Sequence, residues 1–153
     1  MSIALILHKL AVVIWVGGMF FAYQCLRPVA AAQLPPPARL TLWNGVFRRF
    51  FPWVWAAVAT LLGSGFWLIF SALGGMGAVG VHVHIMLGLG SLMMLIFLHV
   101  FFAPYRRLTR AVAAQDWSAG GQALSQIRIL IGINTALGLL TILVGAGGRY
   151  MPW

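Results

Sequence analysis

The chain has 153 residues, 62% of them hydrophobic and 7% charged, with a mean hydropathy of +0.98. Soluble domains carry about a quarter charged residues, so this composition excludes a soluble globule and predicts an integral membrane protein. The formal charge of +9, from ten Lys and Arg against the single acid Asp116, would suggest a nucleic-acid partner if it were spread over a soluble surface, but its placement argues for lipid instead.

A spanning helix needs ~20 predominantly apolar residues. Four windows qualify, 3–24, 52–73, 80–103 and 127–147, and they predict an all-α integral membrane four-helix bundle forming one domain over 1–153. The first window has no basic start and no small-residue cleavage site, and it carries His8, Lys9 and Trp15 inside its apolar run. It is therefore expected to persist as a helix rather than to be removed as a signal peptide. Cys25, the only cysteine, excludes an internal disulfide and suits a reducing side.

Residues 25–51 contain Leu34-Pro35-Pro36-Pro37. Proline lacks a donor and clashes with the preceding turn, so this segment reads as a loop, with a short amphipathic surface helix over 38–50 before Pro52 opens the second span. The glycine-rich turn Leu73-Gly74-Gly75-Met76-Gly77-Ala78 is short enough to predict that the second and third spans are antiparallel neighbours. Pro104 ends the third span, and residues 105–126, with Asp116, Ser118, Gly120 and Gly121, read as a solvated loop. Glycines within the spans are expected at close helix contacts.

Arg27, Arg39, Arg48 and Arg49 fall between the first two spans, and Arg106, Arg107, Arg110 and Arg128 fall at or between the last two. Only Lys9 and Arg149 lie towards the other side. The positive-inside rule then places the basic segments in the cytoplasm and both termini outside, N-out/C-out, in a bacterial-type inner membrane. Attraction to anionic lipid accounts for the basicity, the bilayer is the main partner, and the reading allows a homo-oligomer.

Three histidines share one predicted depth. At ~1.5 Å per residue, His8 lies about 8 Å, and His82 and His84 about 3 and 6 Å, below the start of their spans. Successive helical side chains turn by ~100°, so His82 and His84 point roughly 200° apart and one of them at most faces a given neighbour. His84 shares a face with His99 slightly better than His82 does. Imidazoles from two helices can supply both axial positions of a b-type haem, with Arg149 and Lys9 near the propionates and Trp15 among the aromatics packed along the ring. His8 with His82 or His84 is thus the expected ligand set. His99 lies deep and towards the other face; it fits an inner polar partner, or a quinone or proton site, better than a second haem. Asn134 is expected to tie helices together.

The rival use of such residues is copper, because thioethers and imidazoles are soft donors. Met86 with Met93-Met94 on the third span is the suggestive group. The chain has no nucleophile with a base, no paired carboxylates and no phosphate loop, which argues against hydrolytic chemistry.

The first span, Leu7-His8-Lys9-Leu10-Ala11-Val12-Val13-Ile14-Trp15-Val16-Gly17-Gly18-Met19-Phe20-Phe21, resembles the opening of the copper-resistance CopD membrane domains and of the related HemJ proteins. Phe47-Arg48-Arg49-Phe50 is similar to the entry to the second helix in the CopD group, and Val81-His82-Val83-His84 resembles the head of the third helix in HemJ. The HemJ resemblance implies haem b held by His8 with a partner on the third span, favouring His82, and links to protoporphyrinogen oxidation; the fourth span lacks the Glu and Pro of the HemJ pattern. The CopD resemblance implies copper handling. The leading expectation is an inner-membrane haem-b protein that carries electrons, or acts as an oxidoreductase, with a quinone or small oxidant. The alternatives are a CopD-like copper transport module and a HemJ-like oxidase.

Overall fold

The computed structural model describes residues Ser2 to Tyr150, without the side chains of Ser2 and Arg149. All regular structure among them is helical. Helix α1 (Ser2–Phe21) passes through a π-helical segment (Ala22–Leu26) into α2 (Arg27–Gln33). Helix α3 (Pro36–Trp67) likewise runs on through a π-helical segment (Leu68–Ala72). Then come α4 (Val81–Phe102), α5 (Pro104–Ala113) and α6 (Trp117–Gly147), the last ending in a 3₁₀ turn, Gly148–Tyr150. Four runs, Ile3–Gln33, Pro36–Ala72, Val81–Ala113 and Trp117–Gly147, are long and apolar enough to cross a membrane.

These runs are longer than the apolar windows, and all the extra length lies at the arginine-rich end. A helix of 31 residues such as α6 spans about 46 Å, against a hydrocarbon core of about 30 Å. The expected loops over 25–51 and 105–126 are therefore mostly helix. The prolines act as an opening rather than a break: Leu34 and Pro35 are extended (ψ 134° and 158°) and Pro36 takes the first helical position, where a missing N–H costs nothing. Pro52 does not open the second span but lies inside α3. Proline inside a membrane helix frees one backbone acceptor, which the surroundings accommodate. Ala103 (φ −112°, ψ −86°) breaks the third span as expected, but Pro104 at once starts α5.

Asp116 lies in the short link between α5 and α6, as expected of a loop residue, and serves the helix that follows. Its carboxylate caps α6 by accepting from the Ala119 N–H at 3.0 Å, which satisfies one of the helix's unpaired donors. The extension is knitted by Thr109 donating to Asn44 at 2.9 Å and Arg107 to Gln126 at 2.5 Å. Leu108 and Ile127, both 0% exposed, are the most buried large hydrophobic side chains among the described residues.

α1 packs along α3, and α4 packs along α6. α3 and α4, joined by the short turn, are neighbours as expected, but through side chains rather than close backbone packing. In the turn, Gly74 and Gly75 take φ of 82° and 94°, a region open to glycine. What keeps α3 and α4 apart is a wedge of rings in the arginine-side half. Phe51 meets Phe97 (5.5 Å between centroids) and Tyr105 (4.8 Å), and Trp55 meets Phe97 (5.3 Å) and Phe101 (5.5 Å), mostly edge to face, the arrangement that ring quadrupoles favour.

The opposite constraint acts where α1, α4 and α6 converge. A Cβ on Gly138 would stand 2.8 Å from Val16 Cγ2 and 3.1 Å from Met93 Cε, so only glycine allows this approach. Nearby, buried Asn134 donates to the Met93 carbonyl at 3.3 Å and to the Met19 sulfur at 3.8 Å, while its Oδ1 accepts nothing among the described residues. Asn134 does tie three helices, by weak bonds.

Two outcomes follow for thermal unfolding in detergent. Gly138→Ala is expected to cost about 1–3 kcal/mol, because the stiff β-branched Val16 cannot turn away, whereas Gly17→Ala, which meets nothing within 4 Å, stays at the wild-type midpoint. Asn134→Leu, which keeps the branched skeleton and removes an unmatched acceptor, is expected to stay within about 1 kcal/mol of wild type, while Asn134→Asp loses roughly 3 kcal/mol by burying a charge.

Candidate functional site

With α3 and α4 held apart on one side of the bundle's middle, a cavity of about 430 Å³ opens towards the end that carries the glycine turn. Its wall is almost wholly apolar and draws on α1, the end of α3, α4 and α6. The donor atoms on that wall come from His8, Met86, Met93 and Met94, with Ser91 and Thr141 as hydroxyls. Trp15, 2% exposed, forms part of the wall and meets Phe97 edge to face at 6.2 Å. The cavity thus ends on the aromatic wedge.

His8 is oriented by α3. Its Nδ1 lies 2.9 Å from Ser64 Oγ, and Ser64 Oγ lies 2.5 Å from the Thr60 carbonyl oxygen. A carbonyl only accepts, so the single hydroxyl proton of Ser64 goes to Thr60, and Ser64 must accept from His8. Nδ1 therefore carries a proton, and in the neutral ring Nε2 keeps its lone pair. This is how metal-binding histidines are commonly held, with one ring N–H donated and the other nitrogen presented. Gly65 makes room for the ring: a Cβ there would stand 3.4 Å from His8 Cε1.

Met86 and Met93 are seated by one face of α6. A Cβ on Gly145 would stand 2.8 Å from Met86 Sδ, Gly138 receives Met93 Cε, and Thr141 between them directs its hydroxyl to the Leu137 carbonyl (2.8 Å) and, weakly, to Met93 Sδ (3.9 Å). Glycine, threonine and glycine at spacings of three and four lie on one helix face.

The structure separates the histidines that share a depth. His82 and His84 are not on the cavity wall. His82 is half-buried and packs against Gly148, and exposed His84 donates from Nδ1 to the Gly80 carbonyl at 3.3 Å. His99 is exposed on α4, Lys9 is exposed on α1, and the side chain of Arg149 lies outside what is described. Among the described residues no three His, Cys, Asp or Glu side chains converge. Sequence reasoning singled out His8, Trp15 and the three methionines but missed Thr60, Ser64, Gly65 and Thr141, whose only signal is that 60, 64 and 65 would face one neighbouring helix.

The donor set is one imidazole with three thioethers in an apolar wall without carboxylates. Such donors suit a soft cation and offer nothing to Mg²⁺ or Ca²⁺. No curated protein and no solved structure matches the chain. A family model described as copper resistance protein D matches residues 44–147, from within α3 to the end of α6, and leaves α1 with His8 outside. That match covers 104 of the 153 residues, so this membrane protein belongs to the copper resistance protein D (CopD) family.

Proposed function

We propose that the chain is a copper-handling module of the membrane that takes Cu(I) into the cavity between α1, α3, α4 and α6, with His8 Nε2 and the thioethers of Met86, Met93 and Met94 as its donors. The observation that carries this reading is the His8–Ser64–Thr60 chain, which in the neutral ring leaves Nε2 its lone pair on a cavity wall that also carries three thioethers. An apolar wall favours a monovalent soft ion over a divalent one, since the desolvation cost rises steeply with charge. The family match supports the same metal. The whole chain acts as one domain, with its arginine-rich end in the cytoplasm by the positive-inside rule, so the cavity lies towards the outer leaflet.

A second reading rests on size. About 430 Å³ is more than one ion needs and lies in the usual range of small-molecule sites. A haem b held by His8 and one of the same thioethers fits this donor set, and bound there it would supply one-electron redox chemistry with a quinone or small oxidant. In that reading His8 would hold the group together with one of the methionines rather than with His82 or His84, and Trp15 would keep its expected place on the wall.

Spectra and titrations separate the two. The purified protein is expected to be colourless and to bind one Cu(I) in competition with a chromophoric chelator; a Soret band with stoichiometric iron would replace copper by haem. His8→Ala is expected to weaken Cu(I) binding by more than about 100-fold, and wild-type affinity in that variant would refute the donor assignment. Ser64→Ala removes only the partner that holds the ring proton on Nδ1 and is expected to weaken binding by roughly 10–100-fold, again read by chelator competition.

A further inference from the structure

A second cavity, of about 260 Å³, lies at the arginine-rich end, bounded by the π segment after α1, by α2, by the start of α3 and by α6. Arg27, Arg39 and Arg128 line it from three different helices, together with Tyr23, Trp43 and Trp117. The Arg27 guanidinium lies over the Tyr23 ring at 5.0 Å from its centroid, which fixes its plane by cation–π attraction. Deeper in, Ile127 and Ile131 of α6 give the cavity an apolar floor.

Three guanidiniums around one concavity repel each other, and the chain has little to offset them. Its single acid, Asp116, is engaged in capping α6, and among the described residues no carboxylate pairs with Arg27, Arg39 or Arg128. The other arginines are employed differently. Arg107 donates to Gln126, Arg106 lies over the Phe102 ring at 4.9 Å, and Arg48, Arg49 and Arg110 are exposed away from the cavity. Charge is thus concentrated at one aromatic-walled pocket at the end of the apolar spans, where tryptophan and tyrosine mark the membrane interface.

We propose that this cavity binds the phosphate group of an anionic amphiphile, a phospholipid headgroup entering from the leaflet at the arginine-rich end. Planar guanidinium forks match phosphate oxygens two at a time, and basic pockets between membrane helices take anionic headgroups in this way. The volume admits a phosphate with its glycerol but not a whole lipid, and the isoleucine floor suits the start of the acyl chains. This site is independent of the copper cavity at the other end of the bundle.

The test uses the full chain in phosphatidylcholine nanodiscs or neutral detergent, with binding read by native mass spectrometry and by the shift of the unfolding midpoint on adding phosphatidylglycerol, more phosphatidylcholine, or inorganic phosphate. Phosphatidylglycerol is expected to bind and stabilise, phosphatidylcholine is not. Arg39→Gln with Arg128→Gln is expected to weaken phosphatidylglycerol binding by at least roughly tenfold, while Arg48→Gln with Arg49→Gln, an equal change in charge, leaves it unchanged. Arg27→Gln alone serves as a second reading of the site should the double variant not fold. Equal weakening by both double variants, or no preference for phosphatidylglycerol, would overturn the proposal. Binding of inorganic phosphate that depends on Arg39 and Arg128, without binding of phosphatidylglycerol, would overturn the lipid source and leave a soluble phosphate compound as the ligand.

Discussion

The arrangement of the bundle depends on ring against ring between α3 and α4. Phe51 of α3 meets Phe97 of α4, and Trp55 meets Phe97 and Phe101, at centroid distances of 5.3 to 5.5 Å, and Tyr105 at the start of α5 lies 4.8 Å from Phe51; these rings are too bulky for the backbones to close together. In lipid no hydrophobic driving force pulls helices into contact, and packing itself must hold them. Large rings in one half of the bundle and glycine contacts such as Gly138 with Val16 and Met93 in the other therefore set two different separations along the same helices. The cavity is what remains between them above the wedge.

A polar residue in that setting must be satisfied or it costs several kcal/mol. His8 meets the requirement with one nitrogen, through Ser64 to the Thr60 carbonyl, and the chain of single protons determines which nitrogen stays open. Ser64 returns its own hydroxyl to the helix backbone at Thr60, a common resting place for serine in membrane helices. Here that bond makes the serine an acceptor, and through it α3 decides the tautomer of a residue on α1.

The charge distribution is equally one-sided. With a single acid in the chain, neutralisation of the arginine-rich end has to come from outside the polypeptide, and the helices extend far enough past the apolar windows to carry that charge on ordered structure. Asp116 serves the start of α6 rather than any arginine. The two cavities accordingly differ in kind: one has an apolar wall with soft donors, the other is ringed with cations.

Four apolar windows, the end of the third span at Pro104 and the concentration of arginine at one end were all legible in the amino-acid order, because each depends on composition over a stretch comparable to a membrane's thickness. Family membership was legible too, in the Phe47–Phe50 segment, which lies inside the matched residues, whereas the motif around His8 lies outside them. Helix continuation past the windows was not, since Pro36, Pro52 and Asp116 have the same local signature in a loop as at a helix start or inside a supported helix. The pairing of α1 with α3, the exclusion of His82 and His84 from the cavity wall, and the seating of Met86 and Met93 on Gly145 and Gly138 required the tertiary structure. Depth follows from counting residues along one helix, but the direction a side chain faces follows from which neighbour is closest, and that is set by side-chain volumes on several helices at once.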